Sequence, residues 1–386
     1  MAISPLDPTD PVDLIPARAR TRAGHGRSTL ADVALAAGVT KITVSRYLRE
    51  PARVAPATAA RIQAALTSHA YVPNKQAGML ASGRSPVVAA IVPSLANSVF
   101  AETVQGLADG LQAAGLELIL ASSGYSQERE EEQIRAVLGW APCALAVTGR
   151  HHTAAALAML KAASQGGTPI IEMWDRQPRG AAFVQVGFDH AEVGRAMAQH
   201  LLDAGHTKLV YADTGVAADF RAHERGKAFV AAAKQAGASA QVVTAPEGDA
   251  FDAGRAVLAG LLDAKGRPRA DALACANDHL ACGAWLEAQA RGVPVPGALA
   301  LMGFGDFTLA RQLGSGITTV HPPRYEIGME TAATMLRLMG AAPGEGSAAV
   351  RQKSSAVPWR LVARGSTAVN ATSSAPEFSA PAVKGR

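Results

Sequence analysis

Apolar positions along the chain keep two different rhythms, and the change falls near Pro86. Before it the spacing is helical. Leu30, Val33, Ala34 and Ala37 share one face behind a cap at Ser28 or Thr29, and a turn through Gly38 follows. Thr40 then opens a second helix with a narrow apolar stripe of Ile42, Val44 and Tyr47. Pro56 begins a third, with Ala60, Ile62, Ala65 and Leu66 inward, since proline suits a first turn whose N–H has no partner. The stretch "YVPNKQAGMLASGRS" holds a short helical candidate between Pro73 and Gly83, flanked by breakers, and reads as a linker.

After Pro86 short apolar runs alternate with helices of ten or more residues, such as 98–114, 190–204 and 277–291. The runs are "VVAAIV", "LELIL", "CALAV", "PIIEM", "AFVQV", "KLVYA", "AQVVT", "DALACA" and "LALMGF". That alternation predicts an α/β body of parallel sheets covered on both faces. Nine runs are many for one open sheet, and the near-doubling of a five-strand unit predicts two similar lobes. The first crossover is placed near Val186–Asp189; the chain returns through "ITTVHPP" and crosses again near Val357. The expected division is a disordered tail over 1–27, a helix-turn-helix domain over 28–72, a linker over 73–86 and a two-lobed body over 87–364. Lobe 1 takes about 87–186 and 320–353, lobe 2 about 187–318 and 354–364. The Pro/Ser/Ala/Gly-rich end, 365–386, is expected to be a second disordered tail.

Charge separates the two parts further. The whole chain carries a formal +5, yet residues 28–85 alone hold Lys41, Arg46, Arg49, Arg53, Arg61, Lys75 and Arg84 against Asp32 and Glu50, which is also +5. A basic module on a neutral body implies a polyanionic partner for the module only. Cys143, Cys275 and Cys282 lie in apolar runs without metal-ligand spacing, so they read as core residues in a reducing compartment. No apolar run reaches the ~18 residues of a membrane span. The start, "MAISPLDPTDPVDLIP", lacks the pattern of a secretory signal, and the expected location is the cytoplasm.

The second helix, in "AGVTKITVSRYLREP", presents hydroxyls and bases where an ordinary amphipathic helix meets only water. A helix, a glycine turn and such a second helix fit a helix-turn-helix on double-stranded DNA. Lys41 can donate to guanine O6 and N7, Ile42 can touch a thymine methyl, and Arg46 can reach bases or phosphate. Thr43, Ser45 and Arg49 are placed to hold phosphates, which sets register without reading sequence. In the body, ligands of open α/β sheets collect at the carboxyl ends of strands. The segments there are "PSLANSVF", "TGRHHT", "WDR", "GFDH", "DTG", "NDH" and "GFGDF", whose hydroxyls, amides, carboxylates and bases suit a small polar polyol or acid.

From Leu30 to about Leu361 the chain resembles the LacI family of bacterial repressors, through "TLADVALAAGVTKITVSRYL", "YVPN", "GRS", "ACANDHLACGA", "GFGDF" and "ITTVHPPRYEIG". Within that family it is similar to the gluconate-operon repressor subgroup, through "VTKITVSRYLREP", "IVPSLANSVFAE", the "GY" at 124–125, "TGRHHT" and "VGFDH". The resemblance implies an all-α helix-turn-helix domain and a two-lobed, periplasmic-binding-protein-like α/β core. It implies an operator-binding homodimer, no cofactor and no metal. Lys41, Ile42 and Arg46 match the family's base readers; Thr29, Thr40, Tyr71 and Asn74 join the DNA-facing set. A hinge helix matches Ala77 to Ala81, with Leu80 as the minor-groove wedge and Gly78 where most members carry arginine. Glycine costs a helix about 1 kcal/mol relative to alanine, so this hinge should depend more on operator.

The family's effector arginine matches Arg225, although Ala228 replaces the glycine of its R-x-x-G-F motif. Arg150 and His152 match the subgroup's loop after the third strand, and Asp189 the inter-lobe strand. Gly305 stands where many members place a ligand-binding aspartate, a loss that suits an anion. The expected effector is therefore a sugar acid, gluconate or 2-ketogluconate, held by Arg150, Arg176 and Arg225. Ser94, Asn97, His152, Asp189, Asn277 and Asp278 are expected to bond its hydroxyls; Phe100 and Trp174 supply aromatic surface, as a stacking partner or as cleft wall. A neutral-sugar effector is the alternative. His151 and His152 point apart as neighbours and lack a third metal ligand. Cys275 and Cys282 are expected to pack rather than to switch, and the acidic run "SQEREEEQIRAVLGW" to be a solvated face. A sugar-binding protein of the periplasmic type needs an export signal and no basic module. An NAD-linked enzyme needs an early glycine fingerprint, and "GFGDF" has Thr308 where the third glycine belongs.

Overall fold

A computed structural model describes residues 28–73, 85–96, 99–177, 180–340 and 354–368. The chain divides into two compact units, one ending at Gly83 and the other beginning at Arg84. Asn74, Asn97 and Leu80, with the hinge segment 77–81, lie outside the described residues.

The first unit has three helices, α1 (Leu30–Ala36), α2 (Lys41–Arg49) and α3 (Pro56–Ser68). Thr29 and Asp32 close a capping box on α1: each side chain bonds the other's backbone N–H, and the Thr29 hydroxyl donates to Asp32 Oδ2 at 2.7 Å. Gly38 turns the chain at φ +64°, a left-handed conformation that costs glycine nothing. Thr40 caps α2 by accepting from Thr43 N at 3.3 Å. Val33, Val44 and Ile62 are fully buried at the centre, each contributing about 2 kcal/mol by leaving water. Ile42 corrects the expected inner stripe of α2: it is 70% exposed, one residue around the helix from the core-facing positions.

The second unit holds two six-stranded sheets. The first has strand order β11-β5-β4-β3-β1-β2, all parallel, built from β1 (Val87–Val92), β2 (Glu117–Ser122), β3 (Ala144–Thr148), β4 (Ile170–Asp175), β5 (Val184–Phe188) and β11 (Ser355–Ala356). The second has order β12-β10-β9-β8-β6-β7, from β6 (Lys208–Asp213), β7 (Ser239–Thr244), β8 (Ala272–Cys275), β9 (Ala300–Phe304), β10 (Thr318–His321) and β12 (Arg360–Val362); only β12 runs antiparallel. The helices are α4 (Phe100–Gln112), α5 (Gln127–Leu138), α6 (Ala154–Gln165), α7 (His190–Asp203), α8 (Phe220–Gln235), α9 (Ala250–Leu261), α10 (Asp278–Ala290), α11 (Thr308–Gln312) and α12 (Arg324–Gly340). Central strands such as "VVAAIV" and "ALAVT" are buried on both faces, which is why they read as unbroken apolar runs.

Small residues set how closely the covering helices cross. A Cβ on Gly106 of α4 would strike the Tyr325 backbone of α12, and one on Gly194 of α7 would strike the Arg225 backbone of α8. The chain passes between sheets three times: after Phe188, after His321, and between Ala356 and Arg360. Val320 and His321 therefore belong to the second sheet, not to lobe 1, and Ser355 and Ala356 to the first sheet, not to lobe 2. Periodicity cannot assign a short apolar run to either of two equivalent sheets; pairing does. The expectation of a disordered tail from residue 365 fails at its first residues. Gly365–Thr367 forms a 3-10 turn whose Ser366 and Thr367 are buried, with Thr367 Oγ1 against Thr318 Oγ1 at 2.7 Å. Among the described residues no helix is long and apolar enough to cross a membrane.

Candidate functional site

The carboxyl ends of β1, β4 and β5 face those of β8 and β9 across a cavity of about 380 Å³. Its walls are aromatic: Phe100, Tyr125, Trp174, Phe251, Phe304 and Phe307. Trp174, next to the last residue of β4, has a left-handed conformation, φ +72°, which costs an L-residue roughly 1–2 kcal/mol and persists only where packing imposes it. Here it does so: the ring is fully buried, Nε1 donates to Thr103 Oγ1 at 3.1 Å, and Phe100 meets it edge-on at 5.1 Å. Trp174 and Phe100 are thus wall, with their outer surfaces toward the cavity.

Arg225, 4% exposed, projects from α8 into this wall. Its guanidinium lies 3.9 Å above the Phe304 ring, donates to Ala276 O at 2.9 Å and donates to His190 Nδ1 at 3.0 Å. Since Nδ1 accepts, His190 carries its proton on Nε2 and donates it to Trp174 O at 2.9 Å. Burial and the neighbouring arginine hold His190 well below the ordinary histidine range, so it is neutral. Asp175 beside it is fully buried, and burial pushes its carboxyl up to about 6; its Oδ2 has no hydrogen-bond partner.

Ser94 and Asn277 also line the cavity, although Asn277 spends its side-chain oxygen capping α10 on Leu280 N at 2.9 Å. Other expected ligands are elsewhere. Asp189 caps α7, accepting from Ala191 N at 2.7 Å and Glu192 N at 3.1 Å. Asp278 is buried beneath the cavity floor, where it accepts from Thr319 Oγ1 at 2.6 Å and Phe307 N at 2.8 Å. The Arg176 side chain is exposed and lines no part of the cavity.

Neither Arg150 nor His152 lines the main cavity; Arg150 borders the smaller chamber beside it. Arg150 Nη2 reaches both carboxylate oxygens of Glu224, at 2.9 and 3.0 Å, joining the loop after β3 to α8. His151 stacks on Phe220, also of α8, at 4.5 Å. His152 turns into lobe 1 between two carboxylates, Nδ1 at 2.9 Å from Glu130 and Nε2 at 3.7 Å from Glu172. Burial alone would lower its pKa, but the two carboxylates outweigh that and raise it to about 9. The acidic helix is thus solvated on one side only, because Glu130 is buried against this imidazolium. Gly305 keeps its place for a backbone reason: at φ +133° a Cβ would sit 2.9 Å from the Phe307 ring.

Arg221 escaped the sequence reading. It lies one helical turn before Arg225 on α8, is 8% exposed, and lines both the main cavity and a side chamber of about 40 Å³ next to it. The i, i+4 spacing of two arginines on one helix was the available signal. Asp219 and Asp249, which border the cavity as caps of α8 and α9, were likewise not singled out.

On the first unit, Lys41, Ile42, Arg46 and Arg49 are exposed on α2, while Thr43 and Ser45 are half-buried. Thr29 and Thr40 are engaged in capping, and the half-buried Tyr71 ring packs against the helical core. Among the described residues no group of three metal-ligating side chains stands together.

A helix-turn-helix unit followed by a two-lobed α/β body with a cleft at its strand ends is the build of a ligand-responsive bacterial transcription factor. Residues 29–74 match the model of bacterial regulatory proteins of the lacI family, and residues 198–367 that of the periplasmic binding protein-like domain. The chain is 36% identical to the HTH-type transcriptional regulator GntR of Pseudomonas aeruginosa, over 89% of this chain and 96% of that one. It is 33% identical to GntR of Escherichia coli K12, over 80% and 91%. A solved LacI family regulator from Silicibacter pomeroyi superposes with a TM-score of 0.78 at 32% identity, over 88% of this chain and 99% of that one. The chain belongs to the LacI family and is a DNA-binding transcriptional regulator; its relatives are regulators, not enzymes.

Proposed function

We propose that this regulator is a cytoplasmic homodimeric repressor of sugar-acid utilisation genes, released from its operator when gluconate or 2-ketogluconate enters the inter-lobe cleft. The observation that carries the reading is the pair of buried guanidinium groups, Arg221 and Arg225, at one cavity, neither in an ion pair among the described residues. A buried cation with no carboxylate at ion-pair distance favours an anionic ligand, and a forked guanidinium suits a carboxylate. The aromatic walls offer faces for the C–H surface of a carbon chain, and Ser94 and Asn277 offer polar contacts at its edge. The likeness to gluconate-operon repressors, with relatives named GntR, points the same way.

Repression is relieved only if effector prefers the form that operator does not, so the two ligands must weaken each other's binding equally. Calorimetric titration of the full chain with gluconate, 2-ketogluconate, glucose and glucitol tests the reading. The acids should bind and the neutral compounds should bind far more weakly, and the acids should release operator DNA. Tighter binding of a neutral sugar than of either acid would refute the sugar-acid reading.

A further inference from the structure

We infer that Arg221, rather than Arg225 or Arg150, is the residue by which the cleft selects an anion, its guanidinium taking the effector's carboxylate from lobe 2 across to lobe 1. The inference rests on the sugar-acid reading above.

Three arginines compete for the role, and their surroundings separate them. Arg150 already has a carboxylate, Glu224, on both oxygens. Arg225 is stacked on Phe304 and has donors committed to His190 and Ala276, so it stiffens the wall in which it sits. Arg221 has no carboxylate at ion-pair distance among the described residues. Its guanidinium carbon stands 5.6 Å from the Phe100 ring centre, beside the Tyr125 phenol. Both of those residues belong to lobe 1, while Arg221 is on α8 of lobe 2.

Gly149 makes the crossing possible. At φ +88° it presents bare backbone, and a Cβ there would be 2.7 Å from Arg221 Nη1 and 3.3 Å from Asp175 Oδ2. The guanidinium therefore lies over a surface that only glycine provides. Burial works against its charge, but the Asp219 and Asp175 carboxylates, further off, more than offset this, so Arg221 stays protonated at the cavity wall. A carboxylate bound there would touch a residue of one lobe that is itself seated on the other, so the group that distinguishes an acid from a polyol would also favour closure.

The test compares gluconate with glucitol, a neutral polyol of the same chain length, by calorimetry on the full-length protein. The native chain should prefer gluconate. R221Q should lose about tenfold or more in gluconate affinity while binding glucitol as before, since charge-assisted bonds are the stronger kind. R225Q should weaken both ligands together, because it disturbs the shared wall. R221K, which keeps the charge without the fork, should fall between, and decides the matter if R221Q does not fold. Equal gluconate affinity in the native protein and a folded Arg221 variant would overturn the assignment and leave the sugar-acid reading standing. If the native chain takes no acid, the two fall together.

Discussion

His152 shows how one side chain can move from an expected ligand to a structural tie. It stands between Glu130 and Glu172, and Glu172 in turn accepts from Gln185 Nε2 at 2.6 Å. Without a proton on the imidazole, two buried carboxylates would face each other unscreened. Its folded pKa, about 9, lies above the unfolded value near 6.5. The stability it contributes is thus complete below about pH 6.5 and is lost as pH rises through about 9. The full effect is on the order of 3 kcal/mol. His152→Gln should therefore lower the denaturant midpoint clearly at pH 6 and much less at pH 9.5. A difference between the two proteins that is constant with pH would show that His152 is not charged in the fold.

Two helices are the proposed carriers of the regulator's contacts with operator and effector. On α2, Lys41 at the first position and Arg49 at the last are both exposed, but only the N-terminal end of a recognition helix approaches base edges. Lys41→Ala should change base preference within a half-site. Arg49→Ala should weaken all sequences alike and reduce the slope of log affinity against log salt by about 1. Identical behaviour of the two variants in binding titrations would remove this division of labour. On α8, Glu224 clasps Arg150 across the lobes with both side chains half-buried, a geometry worth about 1 kcal/mol or less. Glu224→Ala should ease the lobes apart and weaken gluconate binding about two- to fivefold with operator affinity unchanged. Tighter gluconate binding would instead reveal Arg150 as an anion ligand that Glu224 holds back.

For the molecule as a whole, one helix-turn-helix reads one half-site, and affinity at operator concentrations found in cells calls for two. The chain should be a dimer in light scattering. A tetramer at low micromolar concentration would show a contact made by another surface. Operator affinity should also fall steeply with salt, since two basic modules displace counterions together.

Much of this is legible in the sequence. Periodicity marked the three small helices and the first nine strands, because a period of 3.6 or an unbroken buried run is a local property. Cap residues marked helix starts in the first unit, since Thr29 and Thr40 act on backbone a few residues away. Motifs marked the family and the rim of the cleft. Side-chain partnership was not legible, because it is decided by residues far apart in sequence. Arg150 meets Glu224, 74 positions on, and His152 meets Glu130, 22 positions back; either could equally have faced the cavity from the same loop. The sheet to which β10 and β11 belong, the burial of Thr367, and the passage of Arg221 over Gly149 are likewise products of packing. A sequence states which groups can bear charge. Only the assembled lobes decide which charges are already answered by a neighbour and which are left for a ligand.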